Sequence, residues 1–476
     1  MALSRFWSYI LVLSLTFIFY DLLFGNLYTL TQIVNGKQNE PLLINQIDAN
    51  QLFYTDSALH NKVIASGENG LEQEELLYKA KNNVVYIYKG KQQADGIFAT
   101  CKNTIMEIWL PLIGYLTFFC GLLNLLSDSN ATEKIARLLT PIFVRIFPEL
   151  PKGHEAYGFM TMNFAANFLG LDNAATPFGL KAMESMQQVN TDKTKASNSQ
   201  IMFLCLHAAG LTLIPTSIIG YRAAQYAANP ADIMLPTIIT SFVGTVAALL
   251  FVSIKQRINL LNPVIIGGIS IVSALIALLL FYISKLNSIE KLHITGNLSN
   301  SVLLIIILLI VLYSIVNEKV FKTKSTNIFD SFVHGAKDGF TVGLRVLPYM
   351  IAMLVELSIF RNSGLMNIIL GGFTKLLSAF NVDRQVIDAI PVAIMRPFSA
   401  GGSRGFMLDA MRIYGADSIA GRLSCLFQGA AETTFYVIAL YFGSVNIKET
   451  RYTLGIMLLV DLVCVLTSIA VVYIYF

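Results

Sequence analysis

Charge is what this chain has least of. Only 13% of its 476 residues are Asp, Glu, Lys or Arg, against about 25% in ordinary soluble domains. With 55% hydrophobic residues and a mean hydropathy of +0.61, the composition excludes a soluble globular chain and leaves one whose solvent is a bilayer. The formal net charge is +4, and the basic residues scatter among loops instead of clustering with aromatics, so a nucleic-acid surface is excluded too. Cysteine is sparse: Cys101, Cys120, Cys205, Cys425 and Cys464 show no C-x-x-C or metal-type spacing, and four lie in or beside apolar runs. They read as packing residues of a disulfide-free protein. Five scattered histidines supply no metal site, and the chain has no P-loop, no G-x-S-x-G and no H-E-x-x-H. Neither enzymatic activity of the soluble type nor a cofactor is expected, apart from a coupling ion such as a proton or sodium.

What the chain does have is long apolar runs. Spanning about 30 Å of hydrocarbon takes roughly 20 residues. The clearest candidates are Ile108 to Ser127, Ala196 to Tyr221, Ile233 to Ile254, Ile258 to Ser284 and Ile294 to Asn317. Phe6 to Leu23, Arg345 to Phe360, Ser418 to Phe442 and Tyr452 to Phe476 each hold or touch a charge. Together they predict an all-α polytopic membrane protein with roughly nine crossings plus re-entrant elements. Residues 1–25 read as an uncleaved signal anchor, because no small-x-small site follows the first run and Asp21 lies next. Residues 26–100 turn polar, with β-leaning pieces such as Asn83 to Tyr88, and read as a small α/β or irregular insert. With Lys285, Lys291, Arg361 and Arg384 on the opposite side, Lys134, Arg137, Arg145, Lys152, Lys255, Arg257, Lys319, Lys322, Lys324, Lys448 and Arg451 fall on one side of such a topology together with Arg5. By the positive-inside rule the side with Arg5 is the cytoplasm, which places the N-terminus inside and residues 26–100 outside, in the inner membrane of a bacterium.

Two polar, glycine-bearing interruptions break this apolar text. The first runs from Asn163 to Pro177 and holds Asn163, Asn167, Asp172, Asn173 and Thr176. Asn163 and Asn167 are four apart, so on a helix both amides share a face. Gly170 permits a turn, and Asp172 or Asn173 can cap a second helix that has Pro177 in its first turns. The second interruption runs from Arg396 to Asp409, where Ser399, Gly401, Gly402 and Ser403 offer close backbone approach and free N–H groups. Arg396 and Arg404 add charge that needs a partner inside a membrane, with Asp409 and Glu432 as the available carboxylates. Arg404 reads as reaching for the interface from the base of its hairpin.

Following each interruption is another run carrying polar groups: Gln428, Glu432 and Thr433 in the second half, and His207, Thr212 and Thr216 in the first. An intramembrane carboxylate marks function by default, so Glu432 is the leading coupling candidate, followed by Asp409, Asp461 and His207. Order and predicted orientation together suggest two inverted repeats, residues 101–257 and 326–476, joined by linking helices over 258–325. Each repeat would carry a broken-helix re-entrant hairpin, the architecture of alternating-access transporters.

At these residues the chain resembles a known family. Asn163 to Gly179 resembles the core of spore maturation protein A. Arg396-Pro397-Phe398-Ser399-Ala400-Gly401-Gly402, with Gln428 to Tyr436, resembles spore maturation protein B. Both belong to the nucleoside-recognition or gate-domain family, which is similar to membrane portions of concentrative nucleoside transporters and of the bacterial ferrous-iron transporter. The resemblance implies that Asn163, Asn167, Asn173, Arg396, Ser399, Gln428 and Glu432 line a solute site.

The leading expectation is a secondary transporter of a small polar or anionic solute, nucleoside-like by family. The alternative is a non-transporting scaffold in envelope or peptidoglycan maturation. Expected partners are the solute and the lipid bilayer; a homo-oligomer and envelope partners bound through residues 26–100 stay open.

Overall fold

The computed structural model describes residues 2–24, 30–35, 42–49, 52–53, 57–73, 76–81, 83–89, 96–170, 172–260, 262–365, 368, 371–372 and 382–476. Helices α1 (Ala2–Phe24) and α2 (Leu30–Asn35) lead into a small sheet domain. Strands β1 (Leu42–Asp48), β2 (Leu71–Gln73), β3 (Leu76–Lys81) and β4 (Val84–Lys89) form one antiparallel sheet in the order β1-β4-β3-β2. Helix α3 (Ser57–Ser66) buries Val63 beside Val85, Tyr78 and Ile47 to make its core.

The rest is helical. Helices α4 (Ile97–Asn103) and α5 (Leu110–Asp128) form one rod through a widened turn at Thr104–Trp109, and α6 (Ala131–Ile146) follows. The amphipathic α6 buries Ala136, Phe143 and Ile146 while Arg137 and Arg145 lie elsewhere on its surface. Then come α7 (Ala156–Phe168), α8 (Asp172–Val189), α9 (Asn198–Ala209), α10 (Thr216–Ala224), α11 (Met234–Gln256), α12 (Pro263–Ser284), α13 (Ser288–Val316) and α14 (Glu318–Thr323). The second half repeats the order of the first: the long α15 (Ile328–Asn362), the paired α16 (Arg384–Met395) and α17 (Ala400–Tyr414), the short α18 (Ile419–Gly429) and α19 (Thr434–Ser444), and α20 (Thr453–Tyr475).

Among the described residues, seven helical segments are long and apolar enough to cross a membrane: Ile97–Asp128, Pro230–Gln256, Ile265–Ser284, Ile294–Val316, Ile328–Phe360, Ile419–Ser444, which has a short break between α18 and α19, and Thr453–Tyr475. This is a multi-pass membrane protein. Two expected crossings are not among the seven. Ala196 to Tyr221 is two short helices parted by residues 210–215, and the described apolar stretch of α1 is only Leu11–Tyr20. Helix α12 turns Ile271, Leu275, Leu278 and Phe281 outward, a surface suited to lipid.

The tightest crossing is that of α5 with α15, and glycine permits it. Gly335, Gly339 and Gly343 recur every four residues and so share one face of α15. A Cβ on Gly335 would lie 2.5 Å from the Cys120 carbonyl oxygen, and one on Gly339 would lie 2.5 Å from that of Leu116. Only hydrogen fits there, the same reason small residues line close helix pairs in membranes. Trp109 Nε1 donates to Gly343 O at 2.8 Å, and Asn124 and Ser331 each donate to Asp128 Oδ2, at 3.1 and 2.6 Å. The last helices of the halves, α11 and α20, pack together in the same way, with a Gly244 Cβ position only 2.5 Å from Cys464 Sγ.

One polar cluster ties the halves together. Arg222, at the end of α10 and fully buried, donates to Asp232 Oδ1 and Asp417 Oδ1 at 2.8 Å each, and to Ala416 O at 2.6 Å. Arg422 donates to Asp232 Oδ2 at 2.9 Å and lies over the Phe476 ring. Two cations and two anions thus close a ring around the start of α18.

Candidate functional site

Each half contains a helical hairpin followed by a helix that unwinds. In the first half, α7 and α8 turn at Gly170, whose φ is +79° and where a Cβ would meet Ile214 O at 2.7 Å. Glycine is needed there twice over, for the left-handed backbone and for the close approach. Gly210, with φ +59°, then ends α9, and the chain runs unwound until Pro215 caps α10. In the second half, residues 396–399 join α16 to α17, and Ser399 Oγ caps α17 by accepting the Gly402 N–H at 2.9 Å. Residues 430–433 then unwind between α18 and α19.

The two unwound segments meet where Gly210 lies against Ala431 and Glu432, and the chain within the first and just after the second is bonded to the hairpin tip of its own half. Glu432 N–H donates to Ala208 O at 2.8 Å across the halves. Leu213 N–H donates to Phe168 O at 2.7 Å, and its counterpart, Phe435 N–H, donates to Pro397 O at 3.0 Å. Backbone groups freed by unwinding are thereby satisfied inside the protein, the condition under which non-helical chain survives at membrane depth.

Beside this crossing lies a cavity of about 150 Å³. Gly170 and the 210–218 segment line one side, with Arg396, Arg404, Gln428 and Glu432 on the other. Arg396 is held in place: Nη1 donates to Thr433 Oγ1 at 3.0 Å, Nη2 donates to Ala431 O, and Glu432 Oε2 is 3.9 Å away. The Glu432 side chain is 43% exposed, so solvent weakens that ion pair and leaves the carboxylate available from the cavity. Gln428 is oriented by Ser403, whose hydroxyl donates to Oε1 at 2.5 Å. Gly402 packs on Met395, whereas a Cβ on Gly401 would meet no atom within 4 Å.

The first-half amides gather elsewhere. Asn163 is buried, donates from Nδ2 to Ala175 O at 2.7 Å, and presents Oδ1 to His207 Nδ1 at 3.0 Å. Asn167 Nδ2 lies 2.9 Å from the same nitrogen. One imidazole nitrogen cannot donate to the first and accept from the second in a single tautomer, so the proton on His207 selects between the two amides. The ring stands edge-on to Tyr441 at 4.9 Å, and Thr176 on α8 is beside the Tyr441 hydroxyl. From this hairpin the cavity takes Gly170 and neither asparagine. The side chains of Asp172 and Asn173 lie outside the described residues. Asp409 is buried on α17 away from the cavity lining, and Asp461 accepts from Thr434 Oγ1 at 2.7 Å on α20.

Arg404 departs from expectation. It lies not at the hairpin base but in the second turn of α17, in the cavity wall, with its guanidinium 5.5 Å from the Tyr221 ring centroid. The Arg222–Asp232–Asp417–Arg422 ring was also not foreseen. Its signal in the sequence is one Arg and one Asp beside a short helix in each half, but their pairing joins residues nearly 200 positions apart.

Comparison with known proteins gives three matches. The nucleoside recognition (Gate) family matches at residues 109–225 and 343–448. Spore maturation protein A of Bacillus subtilis (strain 168) is 34% identical over 168 residues, covering 32% of this chain and 86% of that protein. Spore maturation protein B of the same organism is 37% identical over 153 residues, covering 32% of this chain and 84% of that protein. No solved structure matches the chain.

Proposed function

Since the chain belongs to the nucleoside-recognition family of the spore maturation proteins A and B, we propose that it is a secondary transporter of a small polar or anionic solute. The observation that carries this is the cavity at the meeting of two unwound helices, with Arg396, Gln428 and Glu432 in its wall. In this reading the halves are inverted repeats, the hairpins re-enter from opposite faces, and the bilayer is the bacterial cytoplasmic membrane. The distribution of basic residues supports a cytoplasmic N-terminus with the sheet domain outside, and the repeated helix order and paired tip contacts support the two-fold relation. The solute would sit against the Arg396–Glu432 pair, and Glu432, loosely held, would carry the coupling proton or sodium ion.

Size limits the solute. A cavity of about 150 Å³ is below the ~300 Å³ at which drug-sized ligand pockets begin, so a whole nucleoside would enter only after the hairpins part. Flux measured in vesicles should drop at least about tenfold in Glu432→Gln at equal protein level, because the amide cannot take up and release the coupling ion. Undiminished flux would sink the coupling role.

A second reading, a membrane scaffold for envelope maturation, is favoured by the similarity to two spore maturation proteins and by the contact of β1 with α17. Crosslinking through the sheet domain that recovers envelope enzymes, with no solute flux, would select it.

A further inference from the structure

We propose that the cavity takes a small monoanion and that Arg404, not Arg396, is its counter-charge, an inference that rests on the solute-cavity reading above. Arg396 already has Thr433, Ala431 and Glu432 around its guanidinium. Arg404 lines the same cavity, yet among the described residues it makes no hydrogen bond and no ion pair, and its Nε is buried without a partner. Its guanidinium lies over the Tyr221 ring, which attracts a cation by its quadrupole but cannot neutralise it. Arginines within membrane bundles occur paired. This one faces the cavity and makes no ion pair with the Glu432 carboxylate in the same wall, which belongs to Arg396, so the missing partner is the ligand.

Charge in the wall fixes the ligand's valence. Arg396 and Glu432 cancel, so Arg404 leaves one positive charge for one negative ligand. Thr216 of α10 and Ala400 of α17 also line the cavity, and each begins its helix, so the partial positive charge of two N-termini favours an anion in the same space. The volume matches a cavity that holds a single benzene ring. A carboxylate or oxyanion of one ring or less therefore fits, whereas a neutral nucleoside matches neither the charge nor the volume.

Thermal unfolding of the purified full chain in detergent tests this with acetate, benzoate, inorganic phosphate, benzamide and uridine as probes. At least one anion should raise the unfolding temperature, while benzamide, the uncharged counterpart of benzoate, and uridine should not. Benzoate against phosphate separates a carboxylate site from a phosphate site. Arg404→Gln should weaken the anion's apparent affinity about tenfold or more, and Arg404→Lys should retain part of it. The proposal is overturned if no anion stabilises, if benzamide or uridine stabilises equally well, or if Arg404→Gln leaves the anion response intact. Because the wild-type comparison does not depend on any variant folding, a failed Arg404→Gln preparation still leaves a decisive result. Uridine-driven flux in vesicles that survives Arg404→Gln would sink the anion and keep the transporter. No flux of any solute, with anion-dependent stabilisation intact, would sink the transporter and keep the anion site.

Discussion

Replacing Asp417 by Asn should be among the most damaging single-atom changes in the protein. Asp417 accepts from Arg222 at 2.8 Å through Oδ1 and from the Ala228 N–H at 2.8 Å through Oδ2, and its side chain is fully buried, as is that of Arg222. The ring it completes has two cations and two anions, so the amide leaves one positive charge uncompensated where water cannot reach it. Removing one partner of a buried pair costs about 3–5 kcal/mol. Lys322 and Glu318 form a pair of nearly the same length, 3.0 Å, but both side chains are more than half exposed, and such an i,i+4 pair is worth only about 0.3–0.5 kcal/mol. Geometry is matched and burial differs, so burial should set the ratio. Unfolding in mixed detergent and SDS micelles measures both Asp417→Asn and Glu318→Gln. Adding Arg222→Gln to Asp417→Asn should then cost much less than the sum of the single changes, because each leaves the other's charge stranded. A loss below about 1 kcal/mol for Asp417→Asn, or additive single changes, would show that the four charges do not act as one buried ring.

Other outcomes follow from the same contacts. Gly339→Ala should destabilise by about 1–3 kcal/mol, since its Cβ meets the Leu116 carbonyl and α15 must move away from α5; SDS unfolding would detect it. Gly401→Ala should be neutral to about 1 kcal/mol stabilising, because the space beside it is open and alanine is the better helix former. His207→Ala should cost about 1–3 kcal/mol by leaving the Asn163 and Asn167 amides short of a partner, seen as a lower unfolding temperature with solute affinity little changed.

The breaks that frame the candidate site are legible in the sequence, and what is not legible has physical causes. Polar residues inside apolar runs betray helix breaks because unwound backbone needs partners, so both hairpins and the Gln428–Glu432 stretch could be located. The break inside Ala196 to Tyr221 is hidden in the sequence because Leu211, Leu213 and Ile214 keep the segment apolar across Gly210 and Pro215. Hydropathy reports burial, not helical continuity. Arg404 could not be placed because snorkelling and cavity lining require the same side chain, and only the position of Tyr221 on α10 decides between them. Asn163 and Asn167 share a helical face as expected, but that face meets His207 and not the cavity.

In the transporter proposed above, solute passes through the cavity between the second hairpin and the two unwound segments. Ser217 lines it, and cysteine is nearly isosteric with serine. Three native cysteines are buried, and none of the five lines the cavity, so a charged, membrane-impermeant thiol reagent should leave wild-type flux in vesicles unaffected. With Ser217→Cys the same treatment should abolish flux, and solute present during labelling should protect it. Full flux after complete labelling of that cysteine would mean that solute does not pass through this cavity.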